Sequence, residues 1–335
     1  LVTLALSLAA AETVLRWWVD PSRVYRTIRP LPAVSGFHNA LRFWEQHRAN
    51  GPSQVGHDPL LGWDFDIQGD RIRGVRPATW AADDLGIVAL GDSFTYGNEV
   101  GPRENFSALI DARPGFRVLN MAIPGYGIGQ ACLKYAYYGT EHNPDVVLFG
   151  IYVDDYHRTS LGFTSSAKPY FVISPAGLGV LGQPVPTPAE QIGGVQRQLD
   201  QRRSVLWDAL QSLWLKATTG PEQEAAYFDA TDLIVTELLR QLGDSLGSHQ
   251  RLIVIHIPRA EHFVDPDPFR AAMGKRLKGI YEALDIEHID LEVEFLNGAN
   301  AQQVFDRYYV HRSSGSVGHF STAGHQRVME LVLQR

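Results

Sequence analysis

Five short apolar runs set the frame for this chain: "GIVAL" (86–90), "FRVLN" (116–120), "DVVLFGIYV" (145–153), "RLIVIHI" (251–257) and "IEHIDL" (286–291). All are too short for a typical helix, and "GIVAL", "DVVLFGIYV" and "RLIVIHI" are too continuously apolar for strands with one wet face. Between them lie helical stretches near 105–113, 127–141, 231–246 and 268–284, and a last one follows at 322–334. Buried strands alternating with helices predict a mostly parallel sheet covered on both faces, a three-layer α/β/α domain of flavodoxin-like winding. Sites in such sheets gather at the carboxyl ends of the strands.

The chemistry-bearing stretches follow those strand ends. "GDSFTYG" (91–97) places Ser93 on a strand-to-helix turn, although Thr95 excludes the GxSxG elbow. "NMAIPGYG" follows the second strand, where Gly125 and Gly127 permit close backbone approach. "YVDDYHR" ends the third strand with Asp154 and Asp155, and "GHFSTAGH" sets His319 just ahead of the final helix.

In this order, the four stretches resemble the GDSL, or SGNH, hydrolase family over residues 85–335. The resemblance implies Ser93 as nucleophile, His319 as general base, His325 as its structural companion, and Gly125 with the Ser93 N–H as oxyanion donors. Asp154 stands where the family has an oxyanion-donating Asn, and losing one such donor costs about 10²–10³ in rate. The family's Asp two or three residues before the histidine is also missing: those positions are Ser316 and Val317, and no carboxylate lies between Asp306 and His319. A Ser–His dyad, Asp306 or Asp154 itself are the alternatives. Losing the acid costs on the order of 10⁴ in kcat.

Two functions follow. One is a serine esterase or acyl (acetyl) transferase acting on acyl esters, including those of envelope polysaccharides. The other is a catalytically impaired pseudo-enzyme serving as an accessory or docking subunit of a membrane complex.

The opening "LVTLALSLAAAETVLRWW" is apolar and helix-forming. It reads as part of a membrane anchor over residues 1–19 with interfacial Trp17 and Trp18, or as a secretory signal. Either reading puts the domain at or beyond a bacterial inner membrane, in the periplasm. Residues 20–84 read as an extended arm packed on the domain. Residues 157–220 read as an insertion holding a β-hairpin and an amphipathic helix at "SVLWDALQSLWLKA".

A net charge of -7 argues against a nucleic-acid partner. The single cysteine permits no intrachain disulfide. With no CxxC or HExxH and scattered histidines, neither a metal nor a cofactor is expected.

Overall fold

The structure is a computed structural model. It describes residues 2–18, 40, 42–47, 56–64, 83–200 and 220–335, with isolated positions at 206, 207, 210, 214 and 218. Most of the arm expected at 20–84, and most of the amphipathic helix expected within 204–217, lie outside the described residues.

In chain order the elements are α1 (Val2–Trp18), β1 (Gly56–Asp58), β2 (Gly62–Asp64), β3 (Leu85–Gly91), α2 (Ser93–Tyr96), α3 (Phe106–Asp111), β4 (Phe116–Asn120), α4 (Ile128–Lys134), β5 (Val146–Tyr152) and α5 (Val153–Thr159). There follow β6 (Tyr170–Ser174), β7 (Gly177–Leu181), α6 (Pro188–Asp200), α7 (Pro221–Asp244), β8 (Arg251–Ile257), α8 (Pro268–Ala283), β9 (Glu287–Asp290) and α9 (Leu291–Glu294). The chain closes with α10 (Ala301–Tyr308), β10 (Tyr309–His311), β11 (Val317–Phe320) and α11 (Thr322–Val332).

The chain divides into two compact units. One comprises Leu1–Trp63, Leu161–Pro169 and Gly182–Ala230; the other Asp64–Ser160, Tyr170–Leu181 and Thr231–Arg335. In the first, Ala40 and Val195 are buried with Trp44 and Phe163 packed against them. Its helix α1 exposes Leu4, Leu6, Leu8 and Trp17. Among the described residues, no helix is long and apolar enough to cross a membrane.

The second unit holds a five-stranded sheet in the order β4-β3-β5-β8-β9, every neighbouring pair parallel. This is the 2-1-3-4-5 winding, with its reversal between β3 and β5. In β3, Val88, Ala89 and Leu90 are all fully buried; so are Val147, Leu148 and Phe149 of β5. Successive side chains point to opposite faces, so three buried in a row require cover on both. Helix α3 packs with α11, while α5 packs with α4 and α8. Right-handed crossovers put these two groups on opposite faces of the sheet. The order and the parallel pairing match the α/β architecture expected from the sequence.

The hairpin expected in the insertion is β6–β7, paired antiparallel from Tyr170–Leu181 to Ser174–Gly177. The sequence does not announce the hairpin β10–β11, nor the short helices α2 and α5 that lead out of the sheet.

Candidate active site

The turn after β3 is shaped by what cannot be there. A Cβ on Gly91, whose φ is +146°, or on Gly150 of the adjacent β5 would run into the Thr95 hydroxyl. Two glycines therefore let α2 settle directly on the strand ends. Asp92 caps α2, its Oδ1 accepting from the Phe94 N–H at 2.9 Å. Gly97, at φ +78°, ends the helix after one turn. Ser93 is thereby held at the first helical position, where its own N–H has no acceptor within the helix.

His319 comes from β11. Its Nε2 lies 2.8 Å from Ser93 Oγ, and its Nδ1 lies 2.9 Å from Oε2 of Glu99. Glu99 is the carboxylate that the histidine block lacks, and it stands six residues after the nucleophile candidate. The same Oε2 accepts from the His319 backbone N–H at 2.7 Å, while Oε1 accepts from Arg312 Nε.

Burial raises the Glu99 pKa, but the Arg312 guanidinium, the His319 backbone N–H and the His319 ring outweigh it and hold the carboxyl at about 2. An ionised Glu99 can only accept, so neutral His319 donates its Nδ1–H there and leaves Nε2 as acceptor for the Ser93 hydroxyl. Asp92 Oδ2, 3.2 Å from Ser93 Oγ, is the more distant of the two acceptors.

Two backbone features fit Glu99 to this place. Its φ is +70°, a region non-glycine residues rarely occupy. Gly318 lies against it: a Cβ there would occupy the position of the Glu99 carboxylate.

Three of the four blocks are joined by one guanidinium. Arg158 Nη1 donates to Asp92 Oδ2 at 2.8 Å, Asp155 Oδ1 at 2.7 Å and the Tyr126 carbonyl at 3.2 Å. It thus ties the serine, glycine and third blocks together. Burial and the charge of Asp92 push the Asp155 pKa up, against the lowering effect of Arg158. Phe94 stacks on Tyr152 and meets the rings of His319 and Phe320 edge-on, which joins the fourth block to the other three. His325 is fully buried, and its Nδ1 accepts from the Phe106 N–H at 3.2 Å.

Gly125 lies in a turn closed by Tyr126 N–H to the Ile123 carbonyl at 3.2 Å, with φ +84° after Pro124. Those features mark a type II turn, which requires a glycine-like residue at this position. Asp154, by contrast, is ion-paired with Arg270 at 2.9 Å and Arg259 at 3.4 Å. Those guanidiniums occupy the carboxylate as an acceptor, so it supplies no donor to an oxyanion. Asp306 is on α10, where it accepts from Gln302 at 2.9 Å and lies 3.9 Å from His311. The partner of His319 is Glu99, and neither Asp306 nor Asp154 takes that role. The sequence reading did not single out Glu99, which lies six residues after Ser93 with Glu104 close behind it, nor did it single out Arg158 or Arg312.

A hydroxyl, an imidazole and a carboxylate in a hydrogen-bonded line, at the carboxyl ends of a doubly wound sheet, are the parts of a serine-nucleophile site. Neither a protein-family model nor a curated protein matches the sequence. Among solved structures, the chain is similar to a lipolytic G-D-S-L family member from Veillonella parvula, at 11% identity over 74% of this chain and 96% of that one, with a TM-score of 0.42. It is also similar to an acetylxylan esterase from Geobacillus stearothermophilus (16% identity, 75% and 95% covered, TM-score 0.41) and to TesA (12%, 74% and 96%, TM-score 0.40). These likenesses carry no part of the chemistry that follows, which rests on this chain's own residues.

Proposed function

We propose that the protein is a serine esterase or acyl transferase of the GDSL/SGNH type, acting on small acyl esters through Ser93, His319 and Glu99. The observation that carries this reading is the line Ser93 Oγ–His319 Nε2–Nδ1–Glu99 Oε2, with both contacts under 3 Å. Ser93 Oγ attacks the ester carbonyl carbon while its proton passes to His319 Nε2. Glu99 holds the ring in the required tautomer and stabilises the imidazolium that forms. The oxyanion takes hydrogen bonds from the Ser93 and Gly125 N–H groups. His319 then returns the proton to the leaving alcohol. Water or a second hydroxyl then attacks the acyl carbon as His319 Nε2 takes its proton, and that proton passes to Ser93 Oγ as the acyl–serine bond breaks.

The missing Asn donor is the remaining ground for a non-catalytic docking role, since Glu99 answers the missing Asp. The acyl ester of an envelope polysaccharide, a membrane-associated location through α1 and a periplasmic domain extend the same reading. The support for them is the apolar α1 and the resemblance in sequence. Fractionating cells that express the chain with and without residues 1–19 tests the location.

The test of the chemistry is fluorophosphonate labelling together with p-nitrophenyl acetate hydrolysis on the same preparation. Labelling at Ser93, lost with the hydrolysis in Ser93→Ala while the circular dichroism spectrum is unchanged, is the expected outcome. A folded protein that neither labels nor hydrolyses any acyl ester tried would return the docking role to first place.

A further inference from the structure

Away from Ser93, at the ends of β8 and β9, His256 is fully buried and neither ring nitrogen has a hydrogen-bond partner. A buried polar group left unpaired has lost its hydration with nothing in exchange, so such a residue asks for a cause. Its Nε2 faces Oε1 of Glu292 at 3.6 Å, and the Nε2 of His262 lies at the same 3.6 Å from that oxygen. Both distances are too long for a hydrogen bond. They are close to the edge of a tetrahedron around an ion bound at 2.0–2.1 Å, which is about 3.4 Å. One ligand atom each from His256, Asp290 and Glu292 lies within 4.8 Å of the other two. Glu292 and His262 also line an open pocket with Arg259, Arg270 and Glu261, so the outer edge of the cluster faces solvent.

We propose that His256, Glu292 and Asp290, with His262 at the mouth, form a binding site for a divalent transition-metal ion of the zinc type. Imidazole nitrogens combined with carboxylate oxygens select such an ion over magnesium or calcium. Oε1 of Glu292 is turned toward the two histidines. Lys278 Nζ bonds the opposite oxygen, Oε2, at 2.5 Å and Asp290 Oδ2 at 3.2 Å. Asp290 Oδ1 accepts from the Glu292 N–H at 3.0 Å, which fixes both carboxylates against α9. Lys278 is thus an outer neighbour of the carboxylates and a competing cation. The chain brings the ligands together from β8, a short turn, the end of β9 and the helix α9, with none of the spacing that marks a metal motif in sequence.

The experiment uses untagged, chelator-treated full chain, titrated with Zn²⁺ by calorimetry and with Co²⁺ by visible absorption. One equivalent should bind, with the intense ligand-field bands of a four-coordinate Co²⁺ site that Zn²⁺ then bleaches. Glu292→Gln and His262→Ala should each weaken binding by at least about tenfold. Fluorophosphonate labelling of Ser93 by these variants, measured without metal, should be unchanged. Using two variants separates loss of the site from a failure of either one to fold. Lys278→Met removes the competing charge and should tighten binding. The inference is overturned by three results: no Co²⁺ spectrum, affinity unaltered in both ligand variants, or a Lys278→Met protein that is less stable and still binds no metal. The last would mark the cluster as an ion-pair network around Lys278 with ordered water on His256.

Discussion

Glu99 occupies a left-handed backbone conformation, and such strain costs about 1–3 kcal/mol where a side chain has reason to be held there. Here the reason is the carboxylate's position between Arg312 and His319. Glu99→Gln should therefore lower kcat for p-nitrophenyl acetate by about 10²–10⁴ with little change in KM, measured by steady-state kinetics. Its pKa also makes a stability prediction. The folded value of about 2 is depressed from 4.5, so the group's contribution is fully present above pH 4.5. That contribution is lost as pH falls towards 2. The stability difference between wild type and Glu99→Gln, followed by urea unfolding, should shrink across that window and stay flat above it. Gly318→Ala tests the same contact from the other side. Its methyl would displace the Glu99 carboxylate, so activity should fall about as far as in Glu99→Gln while the sheet stays folded. Asp154→Asn should leave the rate within a few-fold, because Arg259 and Arg270 already hold that side chain. A hundredfold loss would place the carboxylate in the chemistry.

The elements show where sequence reading stops. Strands β4 and β8 coincide with their apolar runs, since each ends in consecutive buried positions that leave no strict apolar–polar alternation. Ser93 stood out because it follows an apolar strand on a turn, and His319 because "GHFSTAGH" resembles a family block ahead of the final helix. The Glu99–His319 pair joins positions 220 residues apart, and no local pattern states which carboxylate a folded hairpin will meet. The same holds for His256 with Glu292, and for Arg158, whose role depends on three turns converging. Arg158 is the element-scale prediction. Removing it leaves Asp92 and Asp155 buried side by side, so Arg158→Met should destabilise the fold by about 3–5 kcal/mol in urea unfolding. Adding Asp155→Asn should recover part of that loss.

Across the whole molecule, the site is assembled in a fixed order along the chain. The serine and its carboxylate are both in place by residue 99, on the turn after β3. The base arrives 220 positions later, on a hairpin reached only after every strand of the sheet has been made. That separation gives the C-terminal segment control over function that its size would not suggest. A chain cut before Tyr309 still encodes the five strands, Ser93 and Glu99, but loses His319 together with the buried Tyr309, Phe320, Val328 and Leu331. Under the proposed mechanism, ester turnover counts only molecules whose tail has docked, whereas a far-ultraviolet spectrum counts any molecule with its sheet. During refolding the two signals should part, with helix and strand content returning first and activity lagging.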